Sequence, residues 1–172
     1  MNKLFLLLAI SFFSYLNAND PQHAIKLYKQ ANYKKALQYI KPLAKQGDSS
    51  IQHLLGYMYA KGEGMPVDTK KAIEWYKKAA KQGNTSSQIN IGYMYAHGIG
   101  VSKNEKKAVE WYKKAAKLDD GLAQHNLAKA YCLGQGVPKD LKQCAYWAKK
   151  SMNNGLDLYS LWKQFELDKY NK

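Results

Sequence analysis

The chain has 172 residues, enough for one domain or a short array with a real apolar core, and it is too rich in aromatic and aliphatic residues to be disordered. Its charge is lopsided: 27 basic residues against 13 acidic, a formal net charge of +14, with every basic side chain a lysine. Such a surface favours acidic partners or an anionic envelope, but without arginine's planar two-pronged fork it speaks against specific phosphate or base recognition, and no nucleic-acid partner is expected.

The first element in chain order is a leader. "MNKLFLLLAISFFSYLNAND" has one lysine, an uncharged apolar run from Leu4 to Leu16, then a polar step with Ala18 as the last residue before cleavage. About thirteen apolar residues fall short of the roughly twenty that a membrane-crossing helix needs. Residues 1–18 are therefore predicted to be a signal peptide, which places the mature chain in the periplasm or outside the cell with no transmembrane segment after cleavage.

Beyond residue 47 the chain repeats itself. "GYMYAKGEGMPVDTKKAIEWYKKAAKQG" from Gly56 returns as "GYMYAHGIGVSKNEKKAVEWYKKAAKLD" from Gly92 and as "AKAYCLGQGVPKDLKQCAYWAKKSMNNG" from Ala128, at an offset of 36 each time. Repeats are predicted over 48–83, 84–119 and 120–155. Each reads as two helices. The first starts after Asp48, Asn84 or Asp120, short acceptor side chains suited to an N-cap, and ends at a glycine pair (Gly62/Gly64, Gly98/Gly100, Gly134/Gly136). A second start follows at Asp68, Asn104 and Asp140. In the first copy this second helix turns Ala72, Trp75, Tyr76 and Ala79 inward and Lys70, Lys77 and Lys81 to water, so the lysine run is mostly a solvated face. Tyr59, Tyr95 and Tyr131 read as packing residues. Residues 19–47 fit the same frame with a tighter turn and cap the array, Ala36, Tyr39, Ala44 and Gly47 standing 36 residues ahead of Ala72, Trp75, Ala80 and Gly83. At the other end, Leu158, Leu161, Trp162 and Phe165 recur at helical spacing and predict an amphipathic capping helix within 156–172.

The pattern "GYMYAxGxGVxxDxxKAxEWYKKAA" resembles the Sel-one-like repeat family, relatives of tetratricopeptide repeats, over about residues 48–155. The resemblance implies an all-α fold, a right-handed α/α superhelical solenoid of helix-turn-helix repeats with the first helices lining a concave surface. It also implies a scaffold or adaptor that holds proteins or peptides. The alternative it carries comes from a secreted, cysteine-rich branch described as weakly penicillin-binding or β-lactamase-like, whose members have a cysteine pair in most repeats, whereas here only the third copy has one.

That pair is Cys132 and Cys144, which replace Ala60/Ala72 and Ala96/Ala108 of the sister copies. Small residues placed symmetrically about a helical-hairpin turn lie where two antiparallel backbones approach. In an exported chain this predicts a disulfide closing a loop of about thirteen residues, stabilising by ~3 kcal/mol. Two free thiols acting as larger alanines is the other possibility.

The search for chemistry yields little. A Ser-x-x-Lys match occurs once, at Ser160–Lys163, without the companion Ser-Asp-Asn and Lys-Thr-Gly elements. His23, His53, His97 and His125 lack partners at metal-ligand spacing, and each Gly-x-Gly pair is turn chemistry with no phosphate-loop lysine after it. No catalytic residue, metal site or cofactor is expected. A surface remains: one stripe of the first helices, at i, i+3 and i+7, is poorly explained by core packing. It comprises Leu54, Tyr57 and Lys61; Asn90, Tyr93 and His97; Asn126, Lys129 and Leu133. On the family's geometry these face the concave side, where asparagine can pair with an extended peptide backbone and tyrosine supplies area with a polar tip. The alternative is that they are ordinary exposed residues, or that the tyrosines bridge adjacent repeats.

Overall fold

A computed structural model describes residues 20–170, and the predicted leader over 1–18 lies outside the described residues. Within that span the chain is all-α, an α/α repeat solenoid by class, with nine α-helices and a closing 3-10 turn and no strand among the described residues. In chain order the helices are α1 (Pro21–Lys29), α2 (Tyr33–Gln46), α3 (Ser49–Lys61), α4 (Thr69–Lys81), α5 (Thr85–His97), α6 (Glu105–Lys117), α7 (Gly121–Leu133), α8 (Leu141–Asn153) and α9 (Tyr159–Gln164). The chain divides after Trp75 into two compact units.

The local signals work as their chemistry dictates. The side chains of Asp48, Asn84 and Asp120 accept from backbone N–H groups in the first turns of α3, α5 and α7; Asn104 and Asp140 do the same for α6 and α8. Asp68 accepts from the Lys71 N–H at 2.9 Å and pairs with the Lys71 ammonium, which together hold its carboxyl below the usual carboxylate range. α3, α5 and α7 each end on a left-handed glycine, Gly62, Gly98 or Gly134. Each hairpin is then closed by one recurrent backbone bond: the N–H of Asp68, Asn104 or Asp140 donates to the carbonyl of Tyr59, Tyr95 or Tyr131, at 2.9, 2.8 and 3.0 Å.

In the first unit, α1 to α3 enclose Leu27, Leu37, Ile40, Leu43, Ile51, Leu55 and Met58, with Tyr28, Tyr33 and Tyr59 packed at the edge. Gly64 shows why the turn needs a second glycine. A Cβ there would lie 2.9 Å from the backbone carbon of Tyr33 and 3.1 Å from Leu37 Cδ1, so the turn of one hairpin rests directly on the helix before it. Gly136 repeats this contact in the second unit against the backbone of Glu105. The first glycine of each pair ends a helix; in these two turns, the second admits a neighbour.

The second unit stacks α5 on α6, α6 on α7 and α7 on α8. The ring of Tyr112 on α6 packs closely against α5 at Gly92, where an added Cβ would approach Tyr112 Cε1 to 2.5 Å. The third copy changes both partners at once: Ala128 takes the glycine's place and Ala148 the tyrosine's, and both are fully buried. The sulfurs of Cys132 and Cys144 are joined in a disulfide across the α7–α8 hairpin, with Cα atoms 5.1 Å apart.

Two features differ from the sequence expectation or go beyond it. The capping helix is not continuous: α9 stops at Gln164, Glu166 takes a left-handed φ of 49°, and Leu167–Tyr170 form a 3-10 turn. Leu158 and Leu167 are both fully buried in the cluster that surrounds the disulfide. Nine residues along a straight helix would turn them to opposite sides, roughly 180° apart, so only a break lets one cluster take both. Trp162 Nε1 ties the break by donating to Asp168 Oδ1 at 2.9 Å.

The second feature, which the sequence did not single out, is that Gln52, Gln88 and Gln124 are buried. Gln52 Nε2 donates to Ala44 O at 3.0 Å and Gln88 Nε2 to Ala80 O at 3.1 Å, each satisfying a carbonyl near the end of the preceding helix. In the third copy Gln124 donates instead to Asp119 Oδ1 and accepts from Asn154 Nδ2.

Candidate functional site: a groove between α5 and α7

A gap opens where the first helices of two successive repeats lie on either side of the second helix between them. In the second unit that gap is a cavity of about 290 Å³. Its floor is α6, through Ala108, Val109 and Tyr112; its walls are Tyr93, Ala96 and His97 of α5 and Asn126, Lys129 and Ala130 of α7. Lys103, Glu105 and Gln135 close one end.

Four residues of the predicted stripe, Tyr93, His97, Asn126 and Lys129, are thus brought together around one hollow. Tyr93 is 51% exposed, and its ring meets that of His97 at 4.2 Å between centroids. Asn90 sits one turn earlier on α5, half-buried and outside the cavity lining, and Leu133 is exposed at the end of α7, also outside it. Leu54, Tyr57 and Lys61 belong to α3 in the first unit, where the Lys61 ammonium lies 5.8 Å over the Tyr57 ring.

The electrostatics around the hollow are one-sided. Glu105 is the single acidic group lining it, and its carboxylate is engaged by Lys103 at 2.9 Å. Lys129 makes no ion pair among the described residues, although its charge, after burial, helps to hold the His125 imidazole below its ordinary pKa. Tyr112 is 93% buried, and burial, with Tyr93 nearby, pushes its phenol up to about 12. No protein group hydrogen-bonds that hydroxyl among the described residues. Sequence reasoning placed the equivalent Tyr76 on the packing side of its helix and did not single out Tyr112 as a residue lining the hollow; the signal was a polar tip at a position that the third copy fills with plain Ala148.

Elsewhere, lysines cover aromatic faces. The ammonium groups of Lys71 and Lys107 stand 5.7 and 5.5 Å over the rings of Tyr59 and Tyr95, equivalent pairs one repeat apart, and both tyrosines lie partly buried against the core. Ser160 and Lys163 both stand exposed on α9, and neither lines the cavity. No group of histidine, cysteine, aspartate and glutamate side chains arranged to hold a metal ion occurs among the described residues.

Comparison with known proteins agrees with the repeat architecture. A family model for the Sel1 repeat matches residues 16–31, 29–48, 50–84, 85–120 and 121–156. Among solved structures, a Sel1 repeat protein from Oxalobacter formigenes is similar at 34% identity with a TM-score of 0.76, covering 79% of this chain and 56% of its own. The c5321 protein, a protective antigen present in uropathogenic Escherichia coli strains with an SLR fold, is 28% identical with a TM-score of 0.77, covering 85% of this chain and 33% of its own. The chain therefore spans about half and one third of the lengths of these two. Helicobacter pylori cysteine rich protein B shares the fold at 24% identity and a TM-score of 0.59, over 73% of this chain and 90% of its own. No curated protein matches the chain.

Proposed function

Because the chain belongs to the Sel1 repeat family, whose members generally bind other proteins, we propose that it is an exported scaffold that grips an extended segment of a partner protein in the α5–α7 groove. The observation that carries this is the groove itself: a solvent-open hollow walled by Tyr93, His97, Asn126 and Lys129, side chains that contribute little to the core beneath them. Asn126 offers an amide donor and acceptor to a passing backbone, and Tyr93 offers rigid area with a hydroxyl tip. Export is supported by the leader-like residues 1–18 and by the Cys132–Cys144 bond, which suits an oxidising compartment. No helix among the described residues is long and apolar enough to cross a membrane.

Crosslinking in intact cells tests this. A photoreactive residue in place of Tyr93 is expected to capture a discrete partner, and capture is expected to fall with Asn126→Ala, since Asn126 lines the cavity. The same residue in place of Tyr146, which is 50% exposed but outside the cavity lining, serves as the control. Capture from position 93 no greater than from position 146 refutes the groove assignment.

A further inference from the structure

We infer that the α5–α7 groove selects an acidic partner segment, a carboxylate meeting the Lys129 ammonium and the Tyr112 hydroxyl while a neighbouring apolar side chain rests on Ala96, Val109 and Ala130. This rests on the scaffold function and adds the chemistry of what is held.

Three observations converge. The cavity carries uncompensated positive charge, since its one acid, Glu105, is already paired with Lys103 while Lys129 has no ion partner among the described residues. A basic or neutral segment gains nothing from that ammonium, whereas an acidic one brings a charge-assisted hydrogen bond and faster encounter with a chain of net charge +14. The Tyr112 hydroxyl is not one of the buried polar atoms that lack a partner, so it reaches solvent at the floor of the hollow, where a ligand oxygen can take the place of water as its acceptor. Finally, about 290 Å³ is room for one or two side chains and not for a whole ligand of drug size, and the remaining floor is small and apolar. The site is thus a specificity pocket on a longer track.

Random dodecapeptides displayed on phage, selected on the full chain with its disulfide intact, provide the probe. Sequences retained by the unaltered chain but not by Lys129→Glu are expected to be enriched in aspartate or glutamate beside leucine, isoleucine or phenylalanine. The best of these peptides, labelled for anisotropy, is expected to lose about tenfold or more in affinity with Tyr112→Phe, with Lys129→Ala, or when its acid is changed to the amide. Both positions tolerate the change structurally: Lys129 is exposed, and phenylalanine keeps the ring on Gly92. Selection of peptides with no excess of acid, or affinities indifferent to Lys129 and Tyr112, overturns the inference. A partner captured from position 93 whose binding ignores Lys129→Glu would overturn it while leaving the scaffold function standing; no capture at all removes both.

Discussion

The contact between Gly92 and Tyr112 gives a quantitative test of how these repeats pack. Alanine in place of a mid-helix glycine ordinarily stabilises, by about 1 kcal/mol, because glycine is the poorer helix former. At position 92 the new Cβ would stand 2.5 Å from Tyr112 Cε1, 2.7 Å from Cδ1 and 3.1 Å from Cζ, well inside van der Waals contact. The ring is nearly fully buried and must displace α6 from α5 to yield, an overpacking penalty of about 1–3 kcal/mol or more that cancels or exceeds the propensity gain. Tyr112→Ala alone removes a large aromatic and is expected to cost about 3–5 kcal/mol. With the ring gone, Gly92→Ala should recover its ordinary sign and stabilise by about 1 kcal/mol, since the pair then reproduces Ala128 and Ala148 of the third copy. The coupling energy of this double-mutant cycle is therefore expected to be about 2 kcal/mol or more. Urea unfolding followed by helical circular dichroism measures it, with the slope checked for constancy across the four proteins. Equal effects of Gly92→Ala in both backgrounds would show that the glycine is there for some reason other than the tyrosine ring.

Replacing both cysteines by alanine, as the sister copies have, should lower stability by about 3 kcal/mol, and the native chain should take up an alkylating reagent at Cys132 and Cys144 only after reduction. Gly136→Ala and Gly83→Ala share a left-handed φ, 73° and 85°, but only Gly136 has backbone against it; by thermal melts the first should cost distinctly more than the second, whose penalty is about 1–2 kcal/mol from conformation alone. Asn84→Ala removes the acceptor for the Ser87 N–H and should cost about 1 kcal/mol in the same melts. Burial of His125, aided by Lys129, lowers its folded pKa beneath the ordinary 6.5, so the unfolded chain binds the proton more readily. Stability should then fall as pH drops through and below 6.5, and His125→Gln should flatten that slope in pH-dependent urea titrations. An unchanged slope would show that the imidazole is not the group responsible.

The 36-residue offset, the caps at Asp48, Asn84 and Asp120, and the glycine ends of the first helices were legible without coordinates, because each is a local demand of backbone geometry that one residue type meets best. The cysteine pair was legible for the same reason: two positions that are alanine in the other copies mark a close approach within one hairpin. Contacts between elements were not. Gln52 and Gln88 look like surface residues until the preceding helix end is seen to need a donor, and Leu167 reads as part of a continuing helix until its burial beside Leu158 forces a break. Of the nine stripe residues, helical spacing placed them all on one side of their helices but could not say that Tyr93, His97, Asn126 and Lys129 share a hollow while Asn90 and Leu133 stand outside it. Periodicity along a chain reports which way a side chain points; what lies opposite depends on the separation of α5 and α7, which the thickness of α6 and the Tyr112–Gly92 contact set.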